Sequence, residues 1–378
     1  MLGRGFVPVD YDVLAGIDVD KTHMAVTFLD HEQMVRSIHL PHQAQNLIQY
    51  VRKQFTHQRV AFAYEAGPTG FGLHDQLIQA GFPCLVVAAS MIPKVAGQRV
   101  KTNRLDSRKL AFSLRGGQLK SIHVPSESYR HLRHLVQLRD TYAREIVAFK
   151  CRIKALLLYE NIPFPETPPT SQWSNRAIEQ LRLLSCAEPV GFKLNHLLEG
   201  LLFAQKQALT TQREIRRLCR TDDELKQSIK LLMTIPGMGW IVSSHLLARM
   251  GDYRKLQHVG QLGAFVGLVA SEHSTGDHVQ RGSITRIGDS RLRNKLIQSA
   301  WAAIRQDPEL REFYLRIYNR HPKDRATRKA IVAVARKLTT RIHAVLRSQR
   351  PYVIRQIITQ EQALTSSGET RRNAEPVS

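Results

Sequence analysis

LAGIDVDKTHMAVTFLD, residues 14–30, sets apolar side chains at Ile17 and Val19, breaks for a polar turn, and resumes at Ala25, Val26 and Phe28. Alternation on both sides of a short polar turn predicts two strands of a half-buried sheet. Further along come a helix-like stretch at 42–55 and an apolar run, VAFAYE, that ends at Glu65. A glycine-rich turn then leads into a helix (GPTGFGLHDQLIQAG, 67–81), and a second apolar run, CLVV, follows at 84–87. Strand, hairpin, helix, strand, helix, strand predicts an α/β domain over residues 12–125.

Past that point the period changes. Leu132, Leu135, Leu138, Ile146 and Ile153 recur at helical spacing among Arg and Lys. After the proline-rich PFPETPPT (163–170), a helix at 175–187 and a longer one at 193–232 continue the pattern. Residues 126–230 therefore read as a central helical, coiled-coil-like arm, either a spacer or a dimerisation element. From 231, LLMTIPGMGWIVSSHLLARMG, a glycine-punctuated loop and helices at 289–306, 308–319 and 325–348 predict a mostly α-helical domain over 231–350. Residues 351–378 form a polar tail.

The chain has 378 residues, of which 43% are hydrophobic, enough for a sizeable core and too many for a disordered protein. Lys and Arg number 55 against 32 Asp and Glu, a formal charge of +23. Charge of that size within folded segments repels itself and calls for a polyanion, and nucleic acid fits best. No stretch approaches ~18 consecutive apolar residues, which argues against a membrane protein. The N-terminus lacks the apolar segment of a secretory signal. Cys84, Cys151, Cys186 and Cys219 lie far apart with no CxxC pair, so reduced thiols in a cytoplasmic protein are expected and a zinc site is not.

Three acids stand out in the first domain. Asp18 lies inside a predicted strand, Glu65 ends another, and Asp106 opens a helix in KTNRLDSRKLA (101–111), three residues after Asn103 and on the same helix face. A carboxylate within a strand is costly unless a cation compensates it. Convergence of these acids above the sheet would build a Mg²⁺ site for phosphodiester chemistry, because hard cations take oxygen ligands. Each acid alone also reads as a turn or cap residue.

Two features mark the third domain. IPGMG (235–239) before an apolar helix reads as half of a helix-hairpin-helix element, with Gly237 and Gly239 exposing backbone N–H groups to phosphate, or else as a tight turn between packed helices. The loop LVASEHSTGDHVQRGSITRIG (268–288) is rich in hydroxyls and basic groups. Ser274, Thr275, Ser283 and Thr285 are candidate nucleophiles, and Arg281, Arg286, Arg291 and Arg293 candidate phosphate ligands, joined by Lys101 and Arg104 in the first domain. On the residues alone, a non-catalytic phosphate-binding loop is the simpler account.

GIDVDKTHMAV (16–26), YEAGPTGFGL (64–73) and KTNRLDSRKLA (101–111) resemble the three blocks of the RuvC-like domain of DEDD-type insertion-sequence transposases, the bridge-RNA-guided recombinases of bacterial mobile elements. IPGMG, GLVASEHSTG (267–276), RGSITRIGDSRLR (281–293) and KAIVAVARKL (329–338) resemble the second domain of the same family. The resemblance spans about residues 12–350. It implies a RuvC/RNase H-like N-terminal fold, Mg²⁺ held by acids in the order Asp, Glu, Asp-x-x-Asp, and a serine beside a glycine that links covalently to DNA. Asp18, Glu65 and Asp106 match the first, second and fourth acids; Asn103, an amide without charge, stands at the third. Anchored on Gly276, the family serine falls on Thr275, with Ser274, a less hindered primary hydroxyl, one place earlier. Ala270 replaces a customary proline. DNA and a structured guide RNA are the implied partners. Two incomplete sites joined by an arm suggest a homo-oligomer, dimer or tetramer. The alternatives are a metal-dependent junction nuclease without a covalent step, and a non-catalytic nucleic-acid-binding protein, the latter motivated by Asn103.

Overall fold

The computed structural model describes residues 6–93, 103–166, 173–272 and 280–354. These divide into two compact units, 1–124 and 125–378.

The first unit is a mixed α/β domain built on a five-stranded sheet. Its strands are β1 (Val13–Val19), β2 (His23–Leu29), β3 (Met34–Pro41), β4 (Val60–Glu65) and β5 (Cys84–Val87), in the spatial order β3-β2-β1-β4-β5. β1 pairs antiparallel with β2 and parallel with β4. β2–β3 is antiparallel and β4–β5 parallel. This arrangement is consistent with a RuvC-like fold.

β1 and β4 are buried on both faces, hence their near-continuous apolar runs. Val13, Ala15, Ile17, Phe62 and Tyr64 face the core shared with α1 (Ala44–Gln54) and α2 (Gly72–Gln79). Leu14, Ala61, Ala63 and Leu85 face the other side, where Leu114 of α3 (Asn103–Arg115) covers them. β3 was not anticipated from sequence. Its MVRSIHLP segment is an edge strand exposed along most of its length, so its apolar residues carry no burial signal.

α3 crosses the sheet at Gly16. A Cβ there would lie 2.2 Å from the Ser107 backbone oxygen and 2.3 Å from the Ala111 nitrogen. The buried Ser107 hydroxyl locks the crossing through a 2.9 Å hydrogen bond with Thr27 of β2, which in turn bonds Ser37 of β3 at 2.9 Å. Gly16→Ala must push the α3 backbone off the sheet. A loss of about 3 kcal/mol, at the top of the usual overpacking range, is expected in chemical denaturation; an unchanged midpoint would contradict the packing.

The second unit is mostly helical. α4 (Glu127–Tyr159) and α6 (Glu188–Thr221) run antiparallel. At one end Leu132 and Val136 of α4 and Ile215 and Cys219 of α6 join the large core. At the other, Ile153 and Leu157 meet Leu198 and Leu201 beneath Ile178 and Leu181 of α5 (Asn175–Arg182). Two corrections to the sequence reading arise here. α5 ends at Arg182 instead of 187, and the helix expected over 193–232 is two helices. The break falls at Asp222, whose side chain accepts from Leu225 N to cap α7 (Asp223–Leu232).

The remaining elements are α8 (Trp240–Met250), α9 (Val259–Phe265), the hairpin β6 (Ala270–Glu272) and β7 (Arg281–Ile284), α10 (Ser290–Gln306), α11 (Pro308–Tyr318) and α12 (Lys323–Ser348). Leu246, Leu262, Leu296, Val334 and Leu338 tie α8, α9, α10 and α12 into the large core. Residues 126–230 and 231–350 thus share one core at the near end of the α4–α6 pair. Among the described residues, no helix is long and apolar enough to cross a membrane.

Candidate functional site

The strand register positions the first two acids. Ile17 pairs with Tyr64 across the parallel β1–β4 ladder, so the next residues, Asp18 and Glu65, stand level. Adjacent strands lie about 4.8 Å apart. Side chains alternate along each strand, so Asp18 and Glu65 share the face of Gly16 and Ala63, the face α3 covers. Asp106 lies in the first turn of α3, next to the Ser107 that is bonded to Thr27. Asp18 and Asp106 are half-buried and Glu65 is exposed.

Drawn together, the three carboxylates would make an all-oxygen donor set, which suits a hard divalent cation and not zinc. The backbone brings their three elements together. In the present side-chain arrangement, no three Asp, Glu, His or Cys side chains among the described residues are grouped closely enough to hold a metal. Asn103 begins α3, but its side chain lies outside the described residues, as do Lys101 and the side chain of Arg281. Arg104 is exposed one turn ahead of Ser107, and its carbonyl accepts from the Ser107 hydroxyl at 3.0 Å.

In the second unit the two glycines of IPGMG differ in role. Gly237 has φ +80° and sits against α10, where a Cβ would be 2.1 Å from the Ser299 oxygen. Close packing of turn on helix thus accounts for it. Gly239 is exposed, with open space around it, at the N-cap of α8.

The β6–β7 hairpin forms the stem of the hydroxyl-rich loop. Ser271 Oγ donates to the Ser283 carbonyl at 3.0 Å, and Thr285 N donates to Val269 O at 2.9 Å. Residues 273–279, with Ser274 and Thr275, lie outside the described residues. Arg293 holds the base of the stem, its Nη1 donating to Val266 O at 2.9 Å and Arg286 O at 3.3 Å. Arg286 has φ +55° there, and Arg291 is exposed at the first turn of α10.

One polar cluster went unread in the sequence. Asp140 of α4 is 13% exposed and bonds His245 Nε2 of α8 at 2.9 Å. Arg139, Arg291 and Lys295 stand 3.6–3.9 Å from the same carboxylate. Burial pushes this carboxyl up. The His245 hydrogen bond and the charges of His245, Lys295 and Arg139 outweigh it and hold the group below the usual carboxylate range. A depressed carboxyl stabilises the fold above its unfolded pKa of 3.8 and loses that contribution as pH falls through the native value. Asp140→Asn should therefore cost about 1.5–3 kcal/mol at neutral pH. The gap to the unaltered protein should close in strongly acidic solution; a pH-independent gap would mean the charge is not the source.

Comparison with known proteins agrees with the layout. A model described as the transposase IS116/IS110/IS902 family matches residues 229–315, and a second transposase model, for the DEDD transposases of IS110, matches residues 15–161. A relative from Sinorhizobium fredii, named as a transposase, is 30% identical over 257 residues, covering 67% of this chain and 60% of the relative. The chain therefore spans about three fifths of that relative's length. The transposase for insertion sequence element IS1111A of Coxiella burnetii is 24% identical over 67% of this chain and 68% of its own. A pilin gene-inverting protein of Moraxella bovis is 31% identical over 37% of this chain and 43% of its own. With one model on the α/β unit and the other on the helical unit, in the order the motifs run, the chain is similar to the IS110/IS116/IS902 transposases along both units.

Proposed function

We propose that this protein is a DNA recombinase of a mobile element, one that cuts strands and rejoins them through a covalent link between a side-chain hydroxyl and a phosphate. The observation that carries the reading is the level placement of Asp18 and Glu65 at the ends of adjacent parallel strands, on the face to which Gly16 and Ser107 pin the helix bearing Asp106. The names of the relatives, transposases and a gene-inverting protein, support the same class.

On this reading Asp18, Glu65 and Asp106, with the amide of Asn103, would hold Mg²⁺. When bound, the ion would offset charge on the scissile phosphate. The hydroxyl of Ser274 or Thr275 attacks phosphorus, forming an O–P bond. The bond to the 3′ oxygen breaks, and the hydroxyl proton ends on the released 3′-OH. Attack by a 3′-OH of the recombining strand reverses the step and frees the side chain. Lys101, Arg104, Arg281, Arg286 and Arg291, with the exposed N–H groups at Gly239, bind backbone phosphates. The +23 charge favours DNA at the element ends and the target. A structured guide RNA, a dimeric or tetrameric assembly and a cytoplasmic, DNA-associated location complete the proposal, the RNA resting on family resemblance. The test is strand exchange in vitro with Mg²⁺ and the element's flanking non-coding RNA, scored for a protein–DNA adduct. Strand cleavage with no adduct under any trapping condition would replace this reading with a junction nuclease.

A further inference from the structure

We infer that the helical unit holds a second, preformed grip on nucleic acid: a cleft of about 880 Å³ between α4, the C-terminal end of α8 and the start of α10, which binds a phosphodiester backbone. Arg133 and Arg144 of α4, Arg249 of α8 and Arg291 of α10 line it, with the hydroxyls of Thr141 and Ser290 between them. Neither α4 arginine belongs to a motif singled out in the sequence, and Arg249 of α8 lies at the far end of the helix after IPGMG. The inference rests on the nucleic-acid reading above and shares Arg291 with it, but its α4 and α8 arginines belong to neither the acids nor the hydroxyl loop.

Charge is the first argument. Asp289 is the carboxylate of the lining; it pairs with Arg249 and caps α10 through Arg291 N and Leu292 N, both at 3.0 Å. Asp140, beneath, is already shared among His245, Arg139, Arg291 and Lys295, so it offsets Arg291 only in part. Among the described residues no carboxylate lies within 4 Å of the Arg133 or Arg144 guanidinium. Arg133 is nonetheless held in place: it donates to the Ala248 carbonyl at 3.0 Å, which sets it beside Arg249. Burial and that neighbouring positive charge both push the Arg133 pKa down. Like charges fixed together in a half-buried site are relieved by an anion.

Shape is the second. Arg133 and Arg144 are eleven residues, about three turns, apart on one helix, so they share one face and stand about 16 Å apart at 1.5 Å per residue, a span that reaches more than one backbone phosphate. Guanidinium forks and hydroxyls are the usual phosphate ligands, and the lining is too polar to bury a small apolar molecule. Phe265 and Gly288, which also line the cleft, meet where Asp289 N donates to Phe265 O at 3.3 Å. The segment between them carries the β6–β7 hairpin and its hydroxyl-rich loop. A strand held in the cleft therefore passes the base of that hairpin.

The test measures binding of the full-length protein to short duplex DNA, single-stranded DNA and an RNA hairpin in EDTA, as log affinity against log salt. Excluding divalent cations separates this proposal from the acid and hydroxyl chemistry. R133Q/R144Q removes the two α4 cations, neither of which the proposed strand chemistry uses, so the slope should shallow by about 1.8 on duplex or about 1.4 on single strands. The arm showing the loss identifies the strand. R133K/R144K should restore the slope, and an equal thermal midpoint excludes misfolding. The matched control R213Q/R220Q, on exposed positions of α6, should change it less. An unchanged slope on all three probes, or an equal loss in the control, overturns the inference.

Discussion

Asp18→Asn is expected to lower divalent-cation-dependent strand cleavage on the order of 100-fold or more, with secondary structure and thermal midpoint retained. The substitution is isosteric and sits at a half-buried strand end, so it alters charge and not packing. Charge decides the effect: a bound divalent ion supplies several kcal/mol of transition-state stabilisation, and ~1.4 kcal/mol is a tenfold rate change. Glu65→Gln should lose activity similarly, since Glu65 stands level with Asp18 on the neighbouring strand. Asn103→Asp adds the charge that the resemblance places at that position. It should lower the Mg²⁺ concentration giving half-maximal cleavage, whereas Asp18→Asn should raise it. Cleavage that survives Asp18→Asn unchanged would end the shared-site model.

How far this site was legible in the sequence depends on what each residue does. Asp18 and Glu65 could be found because a carboxylate in or at the end of an apolar run breaks a pattern that burial otherwise enforces. Their level placement could not be found, since it needs the parallel pairing of β1 with β4, formed between strands more than forty residues apart. Gly16 was visible only as a neighbour of Asp18; its role as the point where α3 rests on the sheet exists only in three dimensions. β3 escaped because an exposed edge strand lacks a buried face to impose alternation. The break at Asp222 was legible in principle, as Asp at the head of DDELKQSIKLL is an N-cap signal, but the apolar period continues across it and masks it. Asp140, His245, Arg133 and Arg249 looked like ordinary polar residues on helices, because what distinguishes them is their partners across α4, α8 and α10. At Gly237 the turn reads in the sequence as either phosphate-binding or packed, and the contact with Ser299 supplies the packing that only three dimensions show.

The nucleophile gives the other large effect. Ser274→Ala should abolish the covalent protein–DNA adduct and strand exchange while nucleic-acid affinity is unchanged, and Thr275→Ala should cause a smaller loss. The asymmetry follows from the hydroxyls themselves, since the Ser274 oxygen is primary and Thr275 carries a β-methyl that crowds an in-line approach to phosphorus. A neutral hydroxyl needs a base or relief of the charge that develops on the phosphate. Arg286 and Arg291, at the two ends of the turn beyond β7, carry charge of the right sign, whereas Arg293 is committed to backbone carbonyls. Relief by charge should therefore dominate. In that case the adduct-forming rate should fall more in Arg286→Gln than in His278→Gln, since His278, a histidine three residues after Thr275 in the same loop, would matter only as a base. An adduct lost in Thr275→Ala but retained in Ser274→Ala would reassign the nucleophile to the residue beside Gly276. Strand exchange persisting in the Ser274→Ala/Thr275→Ala double variant, and still persisting when Ser283→Ala and Thr285→Ala are added, would remove the covalent step altogether. Water or a 3′-OH would then be the attacking group, and the acids of the α/β unit would have to carry the whole reaction.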